Sequence, residues 1–197
     1  LSSGIPILPN TAGCKTAREA VKLAEIACEL FETNRIKLEV VGDDYSLQPD
    51  PFELVAATKI LIKKGINVFP FCTEDIVVAE ALVGEGCKVL MPWGSPIGSG
   101  QGLLNIESLK RLREKFPKII MVVDAGIGSP SHACQAMEIG YDAVLLNSAV
   151  SQSSNPVKMA IAFSHAVNAG RKGFEAGLIQ PQSMATATTD ISTNIFE

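Results

Sequence analysis

Residues 34–44, NRIKLEVVGDD, carry a β-rich run with two charges set inside it. Side chains alternate across a strand, so Ile36, Leu38 and Val40 share one face while Lys37 and Glu39 share the other. If only the apolar face is covered, the amine and the carboxylate form a surface ion pair on an edge strand. If both faces are covered, two charges stand in an interior, where charge is costly enough to need a purpose. Alternation alone leaves these readings level, and the fold decides between them.

Working outward, the chain repeats a short β-rich run, a polar or Gly-rich turn and a helical stretch. The strand candidates are IPIL (5–8), IKLEVV (36–41), NVFPF (67–71), CKVLM (87–91), IIMVVD (119–124) and AVLLN (143–147). Helical spacing fills the gaps, with Ala17, Val21, Ala24 and Cys28 on one stripe, and Asp50–Pro51, Ser129–Pro130 and Asn155–Pro156 as starts. Strict alternation implies parallel strands joined by crossover helices. An open doubly wound sheet covers both strand faces with apolar helices and leaves no place for Lys37 and Glu39. A barrel does: outward residues pack under helices, and inward residues near the mouth can be polar. The expected fold is therefore α/β, a (β/α)8 TIM barrel. Six units are visible where eight are needed, so the first one or two strand–helix units are expected to be missing before Leu1. Residues 1–177 are read as a single barrel domain and 178–197, which lack apolar periodicity, as a flexible tail.

The chain has 197 residues, 47% hydrophobic and 19% charged, with a formal net charge of -4. Mild acidity without a Lys/Arg cluster argues against a nucleic-acid surface. The longest apolar run, IIMVV, is too short to span a bilayer, and no secretory leader opens the sequence. Five dispersed cysteines without C-x-x-C spacing read as reduced, mostly packed thiols in a reducing compartment. His132 and Cys134 alone do not make a metal site. No metal and no cofactor are expected.

Lys37 is the first candidate for chemistry. A lysine among apolar walls loses part of its preference for charge, and the free amine can form an imine with a ketone or aldehyde. Glu39, on the same face, can relay protons. Asp124 ends the most apolar strand, where a barrel carries its catalytic groups; a turn-capping role explains it equally well in isolation. AGIGSP (125–130), NSA (147–149) and GSPIGSGQG (94–102) follow strands and offer free amides at one end of the barrel, which suits a phosphorylated substrate. Any one of them alone is an ordinary turn. Asp43 and Asp44 read as solvated loop charges, and Trp93 and His132 receive no chemistry.

PNTAGC (9–14), IKLEV with GDD (36–44), PDP (49–51), MPWGSPIGSG (91–100), VVDAGIGSPS (123–131) and AVLLNSA (143–149) together resemble the thiazole synthases of bacterial and plastid thiamine biosynthesis. The resemblance runs in order from about Leu8 to Gly177. It implies a (β/α)8 barrel and a transferase that joins 1-deoxy-D-xylulose 5-phosphate to dehydroglycine and to sulfur from a carrier protein's C-terminal thiocarboxylate. It implies that Lys37 forms the imine and that Glu39 and Asp124 move protons. Gly98, Ala125, Gly126, Asn147 and Ser148 fall where the family binds the sugar phosphate. The implied partners are the sulfur-carrier protein, the dehydroglycine-producing enzyme and further copies of the chain, as a tetramer. Ser148 stands where Thr is common, and Trp93 where an aliphatic residue is common, which is expected to alter the pocket wall. Two rival readings keep the same residues: another imine-forming sugar-phosphate barrel of the aldolase or pyridoxal-phosphate synthase type, and a non-catalytic sugar-phosphate-binding scaffold.

Overall fold

The computed structural model describes residues 4–186. In chain order the elements are α1 (Ala17–Leu30), β1 (Arg35–Leu38), α2 (Pro51–Lys63), β2 (Asn67–Cys72), α3 (Ile76–Gly84), β3 (Val89–Pro92), α4 (Ile106–Lys115), β4 (Ile120–Asp124), α5 (Pro130–Glu138), β5 (Ala143–Leu145), α6 (Ser148–Ser151) and α7 (Pro156–Ala176). Local capping chemistry sets most helix starts. Asp50 Oδ1 accepts from the amides of Phe52 and Glu53 at 2.9 and 3.0 Å, ahead of Pro51. Asp75 caps α3, Asn105 caps α4 and Asn155 caps α7 in the same way. Ser129 and Asn147, ahead of α5 and α6, make no side-chain cap bond.

All five strands are parallel and lie in the order β1-β2-β3-β4-β5. A doubly wound sheet reverses its order at a switch point, whereas an order that advances one strand at a time is an arc of a barrel. Among the described residues the arc is open, since β5 pairs only with β4 and its three residues are half-buried. The expected strand at 5–8 does not form. Pro6 and Pro9 lack amide donors, and Ile5 is exposed. Pairing begins only at Asn10, which bridges Lys37 in parallel: Lys37 donates its amide to the Pro9 carbonyl at 2.8 Å, and Thr11 donates to the Lys37 carbonyl at 3.2 Å.

Alternation then sorts the side chains. Ile36, Leu38, Val68, Leu90, Met121 and Val123 point outward, buried beneath helix residues such as Ala24, Leu54, Leu61, Leu82, Leu109 and Ala136. Each large apolar side chain buried this way contributes about 1.5–3 kcal/mol. The opposite parity, with Lys37, Phe71, Met91 and Asp124, faces the lumen. Helix α7 ends at Ala176, with Gly177 at a positive φ of 84°. Residues 178–186 form neither helix nor strand, and the rest of the expected tail, 187–197, lies outside the described residues. Among the described residues no helix is long and apolar enough to cross a membrane.

Candidate active site

Lys37 is the inward residue of β1 next to the strand's end, and Glu39 follows one residue past it. Thr11 fixes that exit: its buried hydroxyl donates to the Glu39 carbonyl and accepts from the Glu39 amide, both at 2.8 Å. From the far side of the arc β4 delivers Asp124, its last residue. The Lys37 amine lies 2.6 Å from Asp124 Oδ2 and 3.2 Å from Glu39 Oε1, with side chains 12%, 3% and 9% exposed. It also stands 5.4 Å from the Phe71 ring centroid. The apolar walls expected around this amine are therefore only part of its setting, because two carboxylates flank it. Burial raises the Asp124 carboxyl above the ordinary range; the Lys37 charge pulls it down and the Glu39 charge adds to the rise.

Above the triad opens a cavity of about 490 Å3, a usual size for a small-molecule site. Lys37 and Glu39 line it together with Gly98, Ala125, Gly126, Asn147 and Ser148, while Asp124 lies beneath, in contact with Lys37. Trp93 is not among the lining residues, so its ring is not itself part of the pocket wall. Sequence reasoning missed Asn10, Ile97 and Gln152, which also line the cavity; none has a side chain whose chemistry marks it out along the chain. It also missed α6, a single helical turn inside the NSAVSQSS segment.

The turn after Asp124 is shaped by backbone constraint. Ala125 sits at φ 74°, a left-handed conformation that costs a residue with a Cβ roughly 1–2 kcal/mol, and Gly126 follows at φ 77°. The Ala125 carbonyl accepts from Gly94 at 3.2 Å and the Gly126 carbonyl from Gly102 at 2.8 Å, tying this turn to loop 94–104. His132 braces the same turn, accepting the Gly128 amide on Nδ1 at 3.2 Å. The two helices without a side-chain cap, α5 and α6, both follow turns that border the cavity. Amides not consumed by a cap are available to an anion.

Cys14, Cys28, Cys72 and Cys87 are buried free thiols and Cys134 is half-buried. Burial pushes the Cys87 thiol up to about 12 and Cys72 further still, which makes both poor nucleophiles near neutrality. Among the described residues no group of three or more His, Cys, Asp or Glu side chains is placed to hold a metal ion.

The raised Asp124 pKa gives a testable sign. The folded protein holds this proton more tightly than the unfolded chain, so the associated stability is complete below the ordinary Asp value, about 3.9. It is lost as pH rises through the raised value. Asp124→Asn removes that loss. Its stability relative to the unaltered protein should increase with pH across this acidic window and then level off in urea unfolding; a difference that shrinks with pH contradicts the assignment.

Comparison with known proteins points the same way. The family model described as thiazole biosynthesis protein ThiG matches residues 1–190. A Coxiella burnetii protein named thiazole synthase is 57% identical over 185 residues, covering 94% of this chain and 71% of its own. A Brucella anthropi thiazole synthase is 57% identical over 193 residues, covering 98% and 75%. The crystal structure of the Amycolatopsis orientalis BexX/CysO complex contains a similar fold, with TM-score 0.83 and 35% identity over 89% of this chain and 70% of that one. With the family model spanning nearly all of its residues, the chain belongs to the ThiG family of thiazole biosynthesis and is a thiazole synthase for thiamine biosynthesis.

Proposed function

We propose that the cavity takes 1-deoxy-D-xylulose 5-phosphate, with the phosphate on the amides around Gly98, Ala125, Gly126, Asn147 and Ser148 and the ketone toward Lys37. The observation that carries this is the buried contact of one amine with two carboxylates at the floor of a cavity whose upper walls are glycine turns. An ammonium must lose a proton before it attacks a carbonyl. Asp124, whose burial favours the neutral acid, is the nearer of the two acceptors in reach. The amine then adds to the ketone and water leaves, giving an imine that acidifies the neighbouring C–H bonds. Glu39 and Asp124 move the protons of the tautomerisation that follows.

The thiazole sulfur comes from outside the chain in this reading. Its source is a carrier protein's C-terminal thiocarboxylate, and dehydroglycine comes from a separate enzyme. The overall reaction is a transferase reaction that uses no resident cofactor. A partner protein on this fold has a parallel in BexX, solved in complex with CysO. We place the enzyme in the cytoplasm or a plastid stroma as a homo-oligomer, a tetramer as the family resemblance implies, without nucleic-acid or membrane partners.

Borohydride reduction in the presence of the sugar phosphate tests the central step. The expected product is a stable adduct located on Lys37 by peptide mass. An adduct on another lysine, or a Lys37 left unmodified at saturating substrate, overturns the proposal.

A further inference from the structure

Loop 94–104, between β3 and α4, supplies Ile97, Gly98 and Gly100 to the cavity wall. Its two ends meet, with the Leu104 amide donating to the Gly94 carbonyl at 3.0 Å. The residues just outside those ends, Trp93 and Asn105, both turn their side chains to one carboxylate. That carboxylate is Glu74, in the turn between β2 and α3. Trp93 Nε1–H donates to Glu74 Oε2, and Asn105 Nδ2–H donates to Glu74 Oε1 at 3.2 Å. The Asn105 amide is oriented by its other half: Oδ1 accepts the Ser108 amide at 3.3 Å, capping α4, and leaves the nitrogen for Glu74. None of the three residues lines the cavity.

We propose that Glu74 is a positioning residue for substrate binding, a clasp that joins both ends of loop 94–104 and holds its Gly98–Gly100 backbone at the cavity rim. This rests on the sugar-phosphate reading given above. A carboxylate can accept two donors on separate oxygens, which an amide cannot. The loop is in turn bonded to Ala125 and Gly126, so loosening its base relaxes two of the walls offered to the phosphate. A binding loop fixed before the ligand arrives has less ordering to undergo on binding.

Donor and acceptor can be exchanged to test this. Asn105→Asp still caps α4, because Asp and Asn cap alike, but it sets a second carboxylate beside Glu74. Glu74→Gln keeps an acceptor for Trp93 and turns an NH2 toward the NH2 of Asn105. In the double variant the pattern is complementary again: the new amide accepts from Trp93 and donates to the new carboxylate, which still caps Ser108. Affinity for 1-deoxy-D-xylulose 5-phosphate, steady-state kinetics and acrylamide quenching of Trp93, the chain's single tryptophan, are read on the full protein and all three variants.

Each single variant should weaken binding roughly five- to tenfold. KM should rise while kcat changes by less than about twofold, with Trp93 more open to quencher. The double variant should recover to within about threefold of the unaltered protein. A purely structural role for the cap would lower thermal stability without a KM effect that the exchange reverses. Single variants that bind normally, or a double variant no better than the poorer single, overturn the clasp. So does Trp93 quenching unchanged throughout. If the unaltered protein neither binds the sugar phosphate nor forms a borohydride adduct on Lys37, the sugar-phosphate reading falls, and with it any role for Glu74 in binding.

Discussion

Lys37→Arg is expected to fold, to form no borohydride adduct and to lose at least about a thousandfold in turnover. The guanidinium stays protonated and has donors to spare for Glu39 and Asp124, so the charge balance of the floor survives. It cannot form the imine. Lys37→Ala should lose as much activity and also stability, because two buried carboxylates are left facing one another without their cation. Removing one partner of a buried ion pair costs about 3–5 kcal/mol. Thiazole phosphate formation, peptide mass after reduction and thermal melts of both variants check this. A Lys37→Arg enzyme with near-normal turnover refutes imine catalysis, whatever its stability.

Gly126→Ala is the second large effect, and it acts through the backbone. A Cβ built there lies 1.9 Å from Ser95 Oγ and 2.6 Å from the Ser95 amide nitrogen. The hydroxyl can rotate away, but the amide belongs to the chain of loop 94–104 and moves only with it. The positive φ of 77° adds the cost of a left-handed conformation. Together these should destabilise the protein by about 3 kcal/mol or more, a fall in Tm of roughly 6–12 °C for a chain of this size. Sugar-phosphate binding should be lost as well, since the displaced segments are the cavity wall. Calorimetry and equilibrium binding test the two effects separately. Gly65→Ala is the control: it shares a positive φ, at 79°, but its Cβ meets nothing within 4 Å, so it should cost stability and leave binding intact.

Helix starts were the most legible features of the sequence because capping is local. Asp50–Pro51 and Asn155–Pro156 announce helices, and the cap bonds are there. The misread segment 5–8 failed for a local reason too, since its apolar residues suggested a strand while Pro6 and Pro9 removed the donors that a ladder needs. The single turn α6 was too short to leave a periodic trace. The glycine turns could be seen as turns, but their gathering around one cavity follows only from the order of the strands.

By its own alternation the sequence determined that Lys37 and Glu39 share a face opposite Ile36, Leu38 and Val40, and by its repeating units that the strands run parallel. The tertiary structure alone decided which distant partners these residues meet: Asp124 beneath the amine, Ser95 against Gly126, and Trp93 and Asn105 on Glu74. The physical reason is one of range. Capping, turn geometry and side-chain parity act over a few bonds and leave their mark in neighbouring residues, whereas a charge pair or a backbone clash across the barrel depends on how the strands curve and in what order they stand.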